Sequence, residues 1–136
     1  YMDIIKKIAS DNKLSNIIFT GFRSDTPEVL AAMDIFVFPS HAESFGIALI
    51  EAMAMAKPCV CSNADGVLDI AVDGESALFF KNKDADDLFD KLIMLIESDE
   101  LRKNLSAAAR KRVADKFDIE KFTERLLEIY KRTQPQ

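Results

Sequence analysis

Three observations predict an α/β fold, with a Rossmann-like parallel sheet followed by C-terminal helices. Between Asn16 and Phe80, short runs of β-branched and aromatic residues alternate with amphipathic stretches, which is the rhythm of a repeating β/α unit. All but the last of those runs are almost continuously apolar, as strands covered on both faces must be. From Asp84 onward the alternation stops and helical periodicity takes over.

The chain opens on an amphipathic helix whose stripe is Ile4, Ile5, Ile8 and Ala9. Strands are expected at Asn16–Thr20, Ile35–Pro39, Cys59–Ser62 and Ala77–Phe80, with Phe36, Phe38, Phe79 and Phe80 in the core. Thr26-Pro27-Glu28 reads as an N-cap with proline at the first helical position. A second helix is expected from Ser44 through about Met55, closed by Lys57-Pro58, because proline disfavours helical geometry at the preceding residue. Three further helices follow, with Asp84, Asp99 and Asp118 as their caps. A doubly wound domain normally starts with a strand, so the helical opening implies the later part of a larger unit. The expectation is one partial domain over residues 1–136, with a β/α ligand-binding part at 1–80 and a helical part at 81–136.

Composition removes several classes of function. The formal net charge is −5 and the pI about 4.9, so no basic field attracts a nucleic-acid backbone. There is neither an apolar run long enough for a membrane span nor a secretion signal at Tyr1-Met2-Asp3, so a cytoplasmic location is expected. Cys59 and Cys61 stand two apart on an expected strand, facing the same side with Val60 opposite. Same-strand neighbours make a strained disulfide and two thiols are too few for structural zinc, which leaves small buried hydrophobes and no metal.

The chemistry-bearing stretch is Pro39-Ser40-His41-Ala42-Glu43-Ser44-Phe45-Gly46-Ile47-Ala48-Leu49-Ile50-Glu51. It leaves the C-terminal end of a buried strand and enters a helix, which is where open α/β sheets bind ligands. Gly46 removes side-chain bulk at the helix start, and the amides of about Phe45 to Ala48, with the positive end of the helix dipole, suit a phosphate oxygen. Glu43 and Glu51 beside an anion site are best placed as acceptors for sugar hydroxyls. The combination describes a sugar nucleotide.

The Glu-x7-Glu of Glu43 to Glu51, with Phe45-Gly46 and Glu51-Ala52-Met53-Ala54 inside and after it, resembles the donor-binding signature of retaining glycosyltransferases of the GT-B fold, family 4 (group 1). Phe19-Thr20-Gly21-Phe22, Ala31-Ala32-Met33-Asp34, Lys57-Pro58-Cys59-Val60, Asp73-Gly74 and Leu127-Glu128-Ile129-Tyr130 fall in the same order as in that family. The resemblance implies that Glu43 contacts the donor sugar at the catalytic position and Glu51 binds the ribose hydroxyls. It further implies that the stretch Ser44, Phe45, Gly46, Ile47, Ala48 and Leu49 binds the diphosphate through its amides, and that Gly21-Phe22-Arg23 lines the base. The implied ligand is a UDP-, GDP- or ADP-linked sugar, with no metal or other cofactor. Asp65-Gly66-Val67-Leu68-Asp69 stands where the family usually has Gly-Gly-x-x-Glu, and Ala77 where glycine is common. The strands carrying the diphosphate-neutralising Arg and Lys, and the acceptor-binding N-terminal domain, are expected to lie outside this chain.

Other residues have plainer expected roles. Arg23 is either a base or phosphate contact or a solvated loop arginine, and His41 is a structural loop residue. Asp69 is expected as a cap or dipole partner near a helix start. Arg110-Lys111-Arg112 reads as a solvated face that could approach an anionic membrane peripherally in the full-length enzyme. The function expected is the donor half of a sugar transferase, inactive alone, and the alternative is a non-catalytic module for binding or assembly. Because Ile35–Pro39 would be an open apolar edge, either Asn16–Thr20 closes onto it or two copies pair as a homodimer.

Overall fold

The computed structural model describes residues 2–133. Its elements run α1 (Met2–Asp11), α2 (Thr26–Ala31), β1 (Phe36–Phe38), α3 (Ile47–Ala54), β2 (Cys59–Ser62), α4 (Asp65–Ile70), β3 (Leu78–Phe80), α5 (Ala85–Glu97), α6 (Asp99–Lys116) and α7 (Ile119–Thr133). The sheet order is β1-β2-β3, parallel throughout, with Phe36 opposite Cys59 and Val60 opposite Leu78.

Strand alternation divides the core as the sequence requires. Cys59 and Cys61 enter one cluster with Leu49, Met53, Val67 and Ile70, from α3 and α4. Val60 enters the other with Leu78, Phe80 and Leu95, where α5 packs. Helix α6 serves both, giving Leu105 to the second cluster and Ala109 and Val113 to the first. Both cysteines are fully buried and unpaired, and burial pushes the Cys59 thiol up to about 12 and Cys61 higher still. They act as small hydrophobes.

Several boundaries differ from the sequence reading. Asn16–Thr20 is not a strand: it has no ladder partner among the described residues, and Ile18 is 86% exposed. Extended backbone becomes a strand only against a neighbour, and the alternative closure onto Ile35–Pro39 does not form either, so β1 is a sheet edge. Helix α3 begins at Ile47, not Ser44, because Gly46 adopts φ +71°, outside helical geometry. Its far end is as expected, with Ala56 in the left-handed region ahead of Lys57-Pro58. The α2 cap is Asp25, one residue before Thr26, and the α6 cap is Ser98, whose side chain accepts from the Leu101 amide, rather than Asp99. Asp84 and Asp118 cap α5 and α7 as expected.

Asp69 lies in the last turn of α4, not at a helix start, and its carboxylate accepts no capping hydrogen bond among the described residues. Arg110 and Lys111 are exposed as expected, whereas Arg112 is half-buried. Its guanidinium donates to the carbonyls of Ile70 and Asp69, satisfying the C-terminal end of α4. Lys57 does the same for α2, donating to the carbonyls of Ala31 and Met33 at 2.8 Å each. The apolar stripe of α1 is formed but uncovered: Ile4, Ile5 and Ile8 are exposed and only Ala9 is buried. No helix among the described residues is long and apolar enough to cross a membrane.

Candidate functional site

The C-terminal ends of the three strands open into three loops, and the signature runs from the first of them into α3. The Glu43 carboxylate folds back on its own loop: Oε1 accepts from the amides of Phe45 at 3.2 Å and Gly46 at 3.0 Å. Ser40 Oγ stands 3.5 Å from Oε2. The Phe45 amide first, then that of Gly46, holds the Glu43 carboxyl below its ordinary 4.5. Glu43 is therefore a fixed carboxylate at the entrance to α3.

This narrows the expected anion site. The Phe45 and Gly46 amides are taken by Glu43, and the Leu49 amide bonds the Gly46 carbonyl at 3.0 Å while its side chain is fully buried. Leu49 thus offers neither amide nor side chain to a ligand. Ile47 and Ala48 remain, with amides that have no acceptor among the described residues, as the first residues of a helix must. Ser44 is exposed, and Phe45 is half-exposed with its ring edge-on to Phe117 at 6.2 Å.

Glu51 is exposed one turn further along α3, about 6 Å from Ile47 by helical rise. It opens on a hollow of about 220 Å3 shared with Thr26, Pro27 and Leu30, whereas Glu43 borders one of about 420 Å3 with His41, Asn63, Asp65 and Asn82. The two glutamates flank the start of α3 but face different hollows. In the more distant loop, Gly21 takes φ +66° and the Phe22 ring is almost fully exposed. Arg23 is held by both carboxylate oxygens of Asp25, and it contacts none of the α3 residues by hydrogen bond.

Two supports were not singled out from the sequence. Gly66 donates its amide to the Glu43 carbonyl at 3.0 Å, and a β-carbon there would stand 2.3 Å from that oxygen. Only glycine fits; its place in the Asp65–Asp69 segment was the available signal. Asn82 reaches His41 from the end of β3, donating Nδ2 to the His41 carbonyl at 2.7 Å. His41 itself is bound as a loop residue, with Nδ1 2.9 Å from Asn82 Oδ1. Among the described residues there is no cluster of three or more His, Cys, Asp or Glu side chains that could hold a metal ion.

A parallel Rossmann-like sheet with a helix start and two carboxylates at its carboxyl end is the architecture of an open α/β domain, whose ligand crevices lie at the carboxyl ends of the strands. The family model of the group 1 glycosyl transferases matches residues 3–112, and the chain belongs to that family. It is 36% identical over 114 residues to the N,N'-diacetylbacillosaminyl-diphospho-undecaprenol alpha-1,3-N-acetylgalactosaminyltransferase of Campylobacter jejuni, covering 84% of this chain and 30% of that one. It is 33% identical over 115 residues to the capsular polysaccharide biosynthesis glycosyltransferase CapM of Staphylococcus aureus, covering 85% and 30%. The chain thus spans 30% of the length of each of these relatives. Among solved structures, the C-terminal domain of the group 1 protein LpcC from Francisella tularensis superposes with a TM-score of 0.76 at 31% identity, over 87% of this chain and 63% of that one. Anabaena HepE in complex with UDP-glucose gives a TM-score of 0.90 at 24% identity, over 96% and 36%, a likeness of fold alone. The fold is that of the C-terminal Rossmann-like domain of GT-B glycosyltransferases.

Proposed function

We propose that this chain is the donor-binding part of a retaining, family 4 glycosyltransferase that moves a sugar from a nucleoside diphosphate to an acceptor. The observation that carries the reading is the start of α3, with two unengaged amides, Ile47 and Ala48, between a fixed carboxylate and an exposed one. Those amides and the helix dipole would hold the diphosphate and stabilise it as it leaves. Glu51 takes the ribose hydroxyls, Glu43 a hydroxyl of the donor sugar through Oε2, and the Phe22 ring the base. That Anabaena HepE holds UDP-glucose on a similar fold supports this ligand class. No metal enters the scheme, and the chain alone does not transfer sugar, because acceptor site and diphosphate cations lie elsewhere in the enzyme. Turnover of a donor by the purified chain above its hydrolysis in buffer would contradict that.

Binding is the direct test. UDP, GDP and ADP sugars are screened against the chain by ligand-observed NMR, and the best is carried to calorimetry. Ribose is common to all donors and its two hydroxyls can share one carboxylate, so Glu51→Ala abolishes the signal while Glu43→Ala weakens it. Equal losses would overturn the two assignments, and no binding by the parent chain would favour the assembly module instead.

A further inference from the structure

The loop carrying Glu43 is held by residues outside the signature. Its carbonyls are satisfied one after another: Ser40 by the buried Ser62 hydroxyl, His41 by Asn82 Nδ2 at 2.7 Å, Ala42 by Ser40 Oγ at 3.2 Å and Glu43 by the Gly66 amide at 3.0 Å. Asn82 is the furthest reaching of these donors. It stands two residues past β3, crosses over the end of β2 and binds a loop that follows β1. Its own amide is tethered to Asn63 Oδ1 at 2.8 Å, immediately after β2. A single belt of hydrogen bonds, Asn63 to Asn82 to His41, therefore ties together the carboxyl ends of all three strands.

The contact at His41 is double. Asn82 Oδ1 can only accept, so the imidazole carries its proton on Nδ1 and donates, while Asn82 Nδ2 donates back to the same residue's carbonyl. Two bonds to one residue fix position and orientation together, and only Ala42 separates His41 from Glu43. We propose that Asn82 is a positioning residue for Glu43, setting the loop so that the carboxylate meets the Phe45 and Gly46 amides on one side and a donor sugar on the other. The sugar half of this statement rests on the function proposed above. The loop half does not.

The test uses the whole chain and its Asn82→Ala variant. The amide resonances of Phe45 and Gly46 are followed against pH, since both amides report the ionisation of the carboxylate they bond. Asp65 and His41, the other titratable groups lining this hollow, are present in both proteins. With the belt cut, the Glu43 midpoint rises toward its ordinary value. Core resonances such as those of Val60 and Leu95 stay in place, showing that the fold is kept. Calorimetry with UDP and UDP-glucose then separates the halves of the site. Loss of the two neutral hydrogen bonds to His41, which reach the sugar only through the position of the loop, predicts roughly 3- to 10-fold weaker UDP-glucose binding with UDP unchanged. An unaltered Glu43 midpoint in the variant overturns the proposal whether or not any ligand binds. A raised midpoint in a chain that binds neither UDP nor UDP-glucose upholds the positioning role and removes the donor-site reading instead. Equal weakening for UDP and UDP-glucose overturns the specific link to the sugar.

Discussion

The middle of this chain, from α2 to the end of α6, and its two flanks, α1 with residues 14–23 and α7, are written in the same amphipathic language but meet different fates. In the middle, Leu49, Met53, Val60, Leu95 and Leu105 are essentially inaccessible to solvent. On the flanks, Ile4, Ile8, Ile18, Phe22, Phe122, Ile129 and Tyr130 are exposed, and α7 buries no residue at all. The chain consequently exposes 9955 Å2, against about 7,100 Å2 for a compact monomer of its mass. An apolar stripe records that a surface is meant to be covered. It does not record by what.

The largest effect that could break this contrast is on stability. Leu49→Ala removes a fully buried side chain between α3 and the sheet and should cost about 2–5 kcal/mol in chemical denaturation. Phe122→Ala on α7 removes a larger side chain and should cost within about 0.5 kcal/mol, because the residue is 59% exposed. Comparable losses at the two positions would mean that α7 is packed in solution.

Self-association is the next largest effect. We propose that the isolated chain forms a homodimer, since apolar flanks and an unpaired β1 edge leave an excess of exposed surface as large as an obligate interface buries. Light scattering at micromolar concentration should give about twice 15.3 kDa, and Ile8→Glu should lower that mass if α1 takes part. A monodisperse monomer would leave the flanks exposed as they stand.

How much of this was legible in the sequence follows the same division. The strand Cys59–Ser62 was readable because its continuous apolar run is buried on both faces, and Phe36–Phe38, half-buried beside it, because its run is as continuous. Asn16–Thr20 carries a run of the same kind, yet a strand is a property of a pair and no partner is beside it. At the candidate site, Glu43 and Glu51 could be singled out as candidates from residue type and spacing, and the presence of a helix start could be read. Which amides remain available could not, because Glu43 turning back onto Phe45 and Gly46 depends on Gly46 leaving helical geometry. Asn82 and Arg112 were out of reach for a similar reason: each acts across roughly forty residues of sequence on a backbone carbonyl, a group every residue possesses.

The smallest expected effect distinguishes two carboxylates, one within the middle and one where it meets the first flank. Asp25 is held below its ordinary value by the Arg23 side chain, and Glu43 by backbone amides. A carboxylate whose pKa is lower in the folded state stabilises above its unfolded pKa, and that contribution is lost as pH falls through the folded value. Both therefore support the fold at neutral pH and stop doing so in acid, below about 4. Salt separates them. An exposed Arg23–Asp25 pair is screened within a few ångströms at about 0.5 M salt, whereas amides at 3.0 and 3.2 Å from Glu43 Oε1 are partners within the same loop and feel screening far less. Denaturation of Asp25→Asn and Glu43→Gln beside the parent, at pH 7 and pH 3, should show both differences shrinking in acid. Repeated at high salt and neutral pH, only the Asp25→Asn difference should shrink. Loss of the Glu43→Gln difference in salt would mean that its carboxylate is held by side-chain charge rather than by the entrance of α3.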